Sequence, residues 1–225
     1  MFKSVNTFKE LLGTPFAGGV NALCWARALP GDYAEVVAKL GPGEGIVALD
    51  EERLRGLRLE VEGARAVDQM LEDLRLLRDA GRDPVLNIIY GYPRDEAGGP
   101  VATDVFSFHA DSAPVEADTW LCTYHGPASE GLRNEQALRK VDEPKIRAEL
   151  LKLYGGPADA TFTEWLSENH YDLHHAPLPG AQPYSFGQFN LWRITCAWPG
   201  SPVPPCVHRA PVTGADSPAR LLLIS

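Results

Sequence analysis

The chain has 225 residues, of which 44% are hydrophobic, and a formal net charge of -9 at pH 7. This length and apolar content suffice for one sizeable core, and no low-complexity linker interrupts the chain, so we expect a single domain over residues 1–225. A surface with this excess of negative charge repels nucleic acid and anionic membranes, which disfavours both as partners. The first residues lack the apolar run of a signal peptide, and no later segment is long enough to span a membrane, which predicts a cytoplasmic protein.

Residues 1–84 are predicted to be mainly helical. Asp32 and Glu35 have the spacing of a capping box at the start of a helix, and Gly41 stands where that helix would end. A second, longer helix is indicated by apolar residues that recur at helical spacing, namely Val67, Met70, Leu71, Leu74 and Leu77. We expect these helices to pack on the outside of a sheet formed by the rest of the chain.

From residue 85 onward the pattern changes to short strand-like segments separated by glycine and proline. These segments are residues 85–92, 104–110, 119–124, 186–198, 206–209 and 220–224. A helical insert is predicted over residues 144–154, because Pro144 suits a first helical turn and Gly155 suits a helix end. Strands with helices at one side predict an α+β fold, with a β-sandwich or jelly-roll barrel over residues 85–225. Such a barrel has an open mouth that can accept a ligand.

The triplet His109-Ala110-Asp111 follows the aromatic, strand-like run 105–108. Residues two apart on an extended strand point to the same side, so His109 and Asp111 can hold one metal ion together. His208, near the C-terminus, is the candidate third ligand from a distant strand. Two imidazoles and one carboxylate leave one face of an Fe(II) ion open, which oxygen-activating non-haem iron sites require.

A second cluster competes with this site. His170-Tyr171-Asp172 repeats the His-x-Asp pattern, and His174 and His175 follow it directly. This cluster comes after a predicted short helix that starts near Thr161, so we expect it in a loop, where aiming several ligands at one ion is harder than at a strand end. A cofactor-free dioxygenase that uses His170, His174 and His175 is therefore the last of the alternatives. The four cysteines lack C-x-x-C spacing and are expected to be buried free thiols.

The C-terminal segment supplies an arginine after the distal histidine. Residues 206–211 lead through a turn-rich segment, 213–218, into 220–224, which predicts a hairpin-like pair of strands. Arg220 opens the second of these strands. A guanidinium group meets a carboxylate with two charge-assisted hydrogen bonds, so Arg220 is a candidate anion-binding residue.

The pattern of a His-x-Asp pair, a distal histidine and an arginine shortly after it resembles the Fe(II)/2-oxoglutarate-dependent dioxygenase superfamily. The resemblance implies a double-stranded β-helix, a cupin-like jelly-roll barrel braced by the N-terminal helices. It also implies that His109, Asp111 and His208 hold Fe(II) and that Arg220 binds the distal carboxylate of the co-substrate 2-oxoglutarate. Further segments resemble an uncharacterised bacterial family known only as a domain of unknown function, namely residues 20–27, 108–111, 121–127, 208–211 and 220–223.

The predicted function is an Fe(II)- and 2-oxoglutarate-dependent oxygenase that acts on a small-molecule substrate, with hydroxylation as the first expected outcome. Asn87, Tyr90 and Tyr124 lie on predicted strands beside the ligands and are candidates to hydrogen-bond the remaining carboxylate of 2-oxoglutarate or the substrate. The alternative is a non-catalytic, cupin-like metal-binding protein for metal handling or sensing, because the same ligands bind zinc. Arg220 favours the oxygenase, since a pure metal site needs no cation. The sequence does not indicate an oligomeric state.

Overall fold

The computed structural model of the protein describes residues 1–213 and 217–225. Within these ranges the chain has a mixed α+β architecture of thirteen strands in two sheets and six α-helices. The strands are β1 (Phe2–Val5), β2 (Ala22–Trp25), β3 (Ile46–Leu49), β4 (Val85–Ile89), β5 (Phe108–His109), β6 (Asp118–His125), β7 (Glu130–Leu132), β8 (Ala137–Arg139), β9 (His174–Pro177), β10 (Tyr184–Ser185), β11 (Leu191–Thr195), β12 (Val207–Arg209) and β13 (Arg220–Ile224). The helices are α1 (Phe8–Gly13), α2 (Tyr33–Leu40), α3 (Glu51–Arg55), α4 (Val61–Asp79), α5 (Pro144–Tyr154) and α6 (Ala160–Glu168).

The two sheets are almost entirely antiparallel. The larger has seven strands in the order β1-β2-β11-β6-β13-β4-β3, and the smaller has six in the order β10-β7-β12-β5-β9-β8. Only β1 and β2 run parallel within the described ranges. The chain passes repeatedly between the sheets, because β4, β6, β11 and β13 belong to the larger sheet while β5, β7, β10 and β12 belong to the smaller one. Strands β4, β5, β12 and β13 each have a neighbour on both sides, which fixes their positions by hydrogen bonds.

Residues 1–84 contain more strand than predicted. Both predicted helices are present as α2 and α4, and the Asp32 carboxylate accepts a hydrogen bond from the Glu35 amide at 3.0 Å. The same region also supplies β1, β2 and β3 to the larger sheet, so the prediction that the sheets are built only from residues 85–225 is wrong. Each of these strands has only four residues, and β2 is buried along most of its length, so none shows the alternation that reveals a strand in a sequence.

The larger sheet packs helices on one face and meets the smaller sheet with the other. On β13, Leu221 and Leu223 pack in the core that includes residues of α2 and α4, whereas Leu222 belongs to the core between the sheets. Because side chains alternate along a strand, Arg220 faces the same side as Leu222. A shift of one residue in the pairing of β13 would turn Arg220 toward the helices, and apolar burial on both faces prevents this shift.

Residues 134–177 form an insert between β7 and β10. Helix α5 coincides with the helix predicted over residues 144–154, and α5 and α6 enclose a small core of their own, formed by Val101, Val141, Leu150, Phe162 and Leu166. The insert then joins the smaller sheet as β9, which pairs with β5. His174 and His175 therefore lie on a strand, and the prediction that they sit in a loop after a helix is wrong.

The C-terminal strands also differ from the prediction. Strand β12 lies between β5 and β7 in the smaller sheet, and β13 lies between β4 and β6 in the larger one, so the predicted hairpin of these two strands is wrong. The connection instead crosses from one sheet to the other and places His208 and Arg220 on opposite sheets. The turn predicted over residues 213–218 lies partly outside the described residues. In the described ranges no helix combines the length and the apolar character needed to cross a membrane.

Candidate metal centre

His109 and His208 are cross-strand neighbours in the smaller sheet. They pair directly in the register of β5 and β12, and their ring centroids are 4.7 Å apart. Asp111 follows two residues after His109 and turns its carboxylate toward the same point, as the sequence spacing predicted. One potential ligand atom from each of the three residues lies within 4.8 Å of the other two. The structure thus brings together residues that are about a hundred positions apart in the chain.

The three side chains are held in an orientation that suits metal binding. The Nδ1 atom of His109 is 2.8 Å from the carbonyl oxygen of Ser107, and Nδ1 of His208 is 3.3 Å from that of Cys206. An Nδ1–H that donates to a backbone carbonyl leaves Nε2 with a free lone pair for a metal. The Thr119 hydroxyl donates a 2.5 Å hydrogen bond to Oδ2 of Asp111.

The geometry accommodates one divalent metal ion. Nε2 of His109 lies 3.9 Å from Oδ1 of Asp111, and Nε2 of His208 lies 3.8 Å from Oδ2. Each distance is shorter than two metal–ligand bonds of about 2.1 Å placed end to end. Two imidazoles and a carboxylate are ligands that both Fe(II) and Zn(II) accept, and three protein ligands leave further coordination positions free.

Burial controls the protonation of this cluster. It lowers the pKa of His109 to about 4, and the neighbouring His208 adds to the effect. Burial raises the pKa of Asp111. The neighbouring His208, the Thr119 hydrogen bond and His109 lower it by more, so the pKa of this carboxyl lies below its usual value. At neutral pH His109 is therefore a neutral imidazole and Asp111 a carboxylate, which are the forms that bind metal.

A cavity of about 220 Å³ lies between the two sheets next to these residues. His109, Asp111 and His208 form part of its wall. Most of the remaining wall is aliphatic and consists of Ile46, Ile89, Val105, Leu121, Ala210, Leu222 and Ile224. Polar groups are added by Asn87, Tyr92 and Ser129. A small molecule in this cavity would contact the potential metal ligands on one side and hydrocarbon on the other.

Arg220 does not line this cavity but lies next to it, in an adjoining small hollow that shares Ile89 and Tyr92 with the cavity. Only 2% of its surface is exposed. Its guanidinium donates to the Tyr92 hydroxyl at 2.6 Å, to Ser129 Oγ at 3.2 Å and to Thr123 Oγ1 at 3.3 Å. Its Nε atom is buried and has no hydrogen-bond partner among the described residues. Burial lowers the pKa of Arg220, against the opposing influence of Tyr92. Two of its hydroxyl partners, those of Tyr92 and Ser129, belong to residues that line the cavity.

Two of the three other predicted site residues do not line this cavity. Tyr124 points to the helix side of the larger sheet, where its hydroxyl donates to Oδ2 of Asp73 at 2.6 Å, because side chains alternate along β6 and Thr123, one residue earlier, faces Arg220. Tyr90 donates to the carbonyl oxygen of Gly41 at 2.9 Å and lines the small hollow beside Arg220. Contact of either tyrosine with the co-substrate or the substrate stays a prediction. Asn87 does line the cavity.

Three contributors to the site escaped sequence analysis, namely Thr119, Tyr92 and Ser129. Thr119 carried a detectable signal, because it lies on the same face of β6 as Leu121 and Thr123. Tyr92 and Ser129 lie outside the named strands, in connecting segments whose course the sequence does not reveal.

The competing histidine cluster lies beside the first one. His174 pairs with His109 in the register of β5 and β9, with ring centroids 5.7 Å apart. It is buried, which lowers its pKa to about 4, and its Nδ1 atom has no hydrogen-bond partner in the described part of the chain. His174 does not belong to the group of ligand atoms that surround one point. His170 and Asp172 line a separate hollow and do not belong to that group of ligand atoms either.

Comparison with protein-family models gives no match to this chain, and comparison with curated proteins gives none. The resemblance to the dioxygenase superfamily and to the uncharacterised bacterial family stays a prediction. The geometry of His109, Asp111, His208 and Arg220 is therefore what indicates a function for this chain.

Proposed function

We propose that this protein is an Fe(II)- and 2-oxoglutarate-dependent oxygenase that acts on a small-molecule substrate. The observation that carries the proposal is the buried guanidinium of Arg220, which donates to Tyr92 and Ser129 in the wall of the cavity that His109, Asp111 and His208 line. A metal site alone accounts for the three ligands. It does not account for a buried cation beside the same cavity.

Within the described ranges, no side chain balances the charge of Arg220. Its hydrogen-bond partners are three hydroxyl groups, and no carboxylate in the described ranges lies within ion-pair distance. Removing a charged group from water costs several kcal/mol unless an opposite charge compensates it. A carboxylate on a ligand supplies that compensation and accepts two hydrogen bonds from a planar guanidinium. The site therefore suits a co-substrate that carries one carboxylate for Arg220 and a second chelating end for a metal, as 2-oxoglutarate does.

The chain's own residues have separable tasks in this proposal. His109, Asp111 and His208 hold the iron, and the Thr119 hydroxyl keeps Asp111 in place. Arg220, with Tyr92 and Ser129 around it, orients the co-substrate through its distal carboxylate. The aliphatic wall limits the access of water to the reacting centre. When bound, the iron and 2-oxoglutarate supply the activation of molecular oxygen.

The strand order supports a jelly-roll barrel as the fold that carries the site. Eight strands, β4 to β7 and β10 to β13, are arranged as β11-β6-β13-β4 in one sheet and β10-β7-β12-β5 in the other. Consecutive strands along the chain mostly cross between the sheets, as in two interlocked Greek keys. In this interpretation β1 to β3 extend the larger sheet, and β8 and β9 extend the smaller one.

A cytoplasmic location is part of the same proposal. All four cysteines are buried and have free thiols, the state that cysteines keep in a reducing compartment.

The test is an anaerobic titration of the Fe(II)-loaded protein with 2-oxoglutarate. Bidentate binding of 2-oxoglutarate to Fe(II) produces a weak visible charge-transfer band, which we expect for the wild-type protein. The band should be absent in His109→Ala, which lacks a metal ligand. If the wild-type protein binds one metal ion but shows no band with millimolar 2-oxoglutarate, the oxygenase proposal is wrong and the cupin-like metal-binding alternative replaces it.

A further inference from the structure

We propose that the substrate of this site is a small aliphatic molecule without net charge, and that its one polar group pairs with the side-chain amide of Asn87. The inference rests on the proposed function, because it assigns Arg220 to the co-substrate. It adds the chemical class of the substrate and the residue that selects it.

Asn87 is the polar group in the middle of an aliphatic surface. On the inner face of the larger sheet it pairs with Leu222 of β13 on one side and with Ala48 of β3 on the other. The next inward-facing position of β4 on either side is also aliphatic, Val85 or Ile89. An amide in such surroundings destabilises the protein unless it has a hydrogen-bond partner, so its presence indicates that a partner binds there.

Among the described residues, none supplies that partner. The side-chain amide of Asn87 makes no hydrogen bond to any described residue, whereas the other polar residues of the wall, Tyr92 and Ser129, both bond to Arg220. Asn87 is only partly buried and lines the cavity, so its amide is available to a bound molecule. An amide both donates and accepts hydrogen bonds, which suits a hydroxyl, a carbonyl or another amide.

Asn87 and Arg220 serve different groups. Arg220 pairs with Ile89 across β13 and β4, and Asn87 lies two residues further along β4, roughly 7 Å from Ile89 at the spacing of an extended chain. The hydrogen bonds of Arg220 go to Tyr92, Thr123 and Ser129 and not to Asn87. In this proposal a carboxylate bound at Arg220 leaves the Asn87 amide to a second molecule.

The lack of charged groups in the cavity wall and the small volume of the cavity limit the class of substrate. Apart from the potential metal ligands and Tyr92, no titratable side chain lines the cavity in the described part of the chain. A charged substrate would thus be left unpaired against aliphatic groups, which is costly. The volume of about 220 Å³ lies below the roughly 300–1,000 Å³ typical of ligand sites, and the co-substrate occupies part of it, so the substrate must be small. Ile46 and Ile224 line the cavity and are also exposed, so the approach from solvent is apolar as well.

A matched pair of probes tests this inference. 3-Methylbutanamide and 3-methylbutanoate have nearly the same shape, and only the second is charged. Their dissociation constants are measured by ligand-observed NMR on protein loaded with Zn(II), a redox-inert substitute for iron, in the presence of saturating 2-oxoglutarate. We expect the amide to bind at least about tenfold more tightly than the carboxylate, since an unpaired charge in the cavity is more costly than one hydrogen bond is favourable.

The variant Asn87→Leu removes the polar group and keeps the volume similar. It should weaken amide binding about tenfold, which corresponds to one lost hydrogen bond in a partly dry site, and leave zinc and 2-oxoglutarate affinity unchanged. Asn87→Asp should make the cavity prefer 3-methylbutylammonium. Asn6→Leu, the same substitution at an exposed position, is the control and should change nothing.

Three results would overturn the inference. These are equal or tighter binding of the carboxylate, unchanged amide affinity in Asn87→Leu, and a loss of 2-oxoglutarate affinity in Asn87→Leu comparable to the loss of amide affinity. The last result would assign Asn87 to the co-substrate. Failure of wild-type protein to bind 2-oxoglutarate contradicts the proposed function instead, and the inference about Asn87 is then decided by the effect of Asn87→Leu on amide affinity alone.

Discussion

The hydroxyl of Thr119 donates a 2.5 Å hydrogen bond to Oδ2 of Asp111, from a strand of the opposite sheet. Asp111 lies just beyond the end of β5, where its carbonyl oxygen accepts a 2.7 Å hydrogen bond from the Ala197 amide. The Thr119 hydroxyl holds its carboxylate and joins the larger sheet to this metal ligand.

Thr119→Val should weaken metal binding about 10- to 100-fold, the range found when a hydrogen-bond partner of a metal ligand is removed. Valine keeps the shape of threonine, so the fold should persist. Competition with a chelator of known affinity measures the effect, and the exposed Thr163→Val is the matched control. Unchanged affinity in Thr119→Val would mean that this contact does not orient the ligand.

His109→Ala and His208→Ala should each abolish stoichiometric metal binding, whereas His174→Ala should retain it. His174 pairs with His109 across the sheet, as His208 does on the other side, but it does not share the point at which the three ligand atoms meet. Metal content after dialysis, measured by atomic emission, distinguishes the variants. Loss of metal in His174→Ala with full retention in His208→Ala would transfer the site to the second cluster.

Arg220→Ala should bind metal like the wild type and lose 2-oxoglutarate. Truncating one partner of a buried charge pair costs about 2–5 kcal/mol, or roughly 30- to 4,000-fold in affinity. Arg220→Lys should recover only part of this loss, since an ammonium keeps the charge but cannot form two parallel hydrogen bonds. Titration calorimetry of the metal-loaded variants gives both affinities. Equal 2-oxoglutarate affinity in Arg220→Ala and wild type would exclude the assigned role of this residue.

Tyr124→Phe should lower the free energy of unfolding by about 1–3 kcal/mol and leave 2-oxoglutarate affinity unchanged. Its hydroxyl donates to Asp73, which also forms a buried ion pair with Arg27 at 2.6 Å, so the variant leaves a buried carboxylate with one hydrogen bond fewer. Chemical denaturation and co-substrate titration check the two parts. A selective loss of 2-oxoglutarate binding would restore Tyr124 to the site.

The metal-free protein should lose stability as the pH falls from about 6.5 to 4. Burial holds the pKa of His109 and of His174 at about 4, below the ordinary value of 6.5 that they regain on unfolding. Between these values the unfolded chain binds more protons than the folded one, so stability rises with pH by up to about 1.4 kcal/mol per pH unit for each proton. Urea denaturation across this range measures the slope. Replacing His174 by Asn should reduce it, and an unchanged slope would contradict the burial argument.

The sequence by itself determined the local features of this protein. Helices α2 and α4 follow from capping residues and apolar periodicity, which act within one element. The pairing of His109 with Asp111 follows from the two-residue period of a strand. The role of Arg220 in binding a carboxylate stays a prediction. These features are local, so they do not depend on which strands are neighbours in a sheet.

Only the tertiary structure decided which strands meet and which face each side chain takes. β12 and β13 separate into different sheets, the insert returns beside β5 with His174, and Tyr124 turns to the helices while Thr123 turns to Arg220. Strand neighbours depend on contacts between segments far apart in the chain, and a shift of one residue in register exchanges the two faces. That long-range choice placed Thr119, Tyr92 and Ser129 around the site. The local sequence indicates the strand face of Thr119, but it does not distinguish Tyr92 and Ser129 from ordinary loop residues.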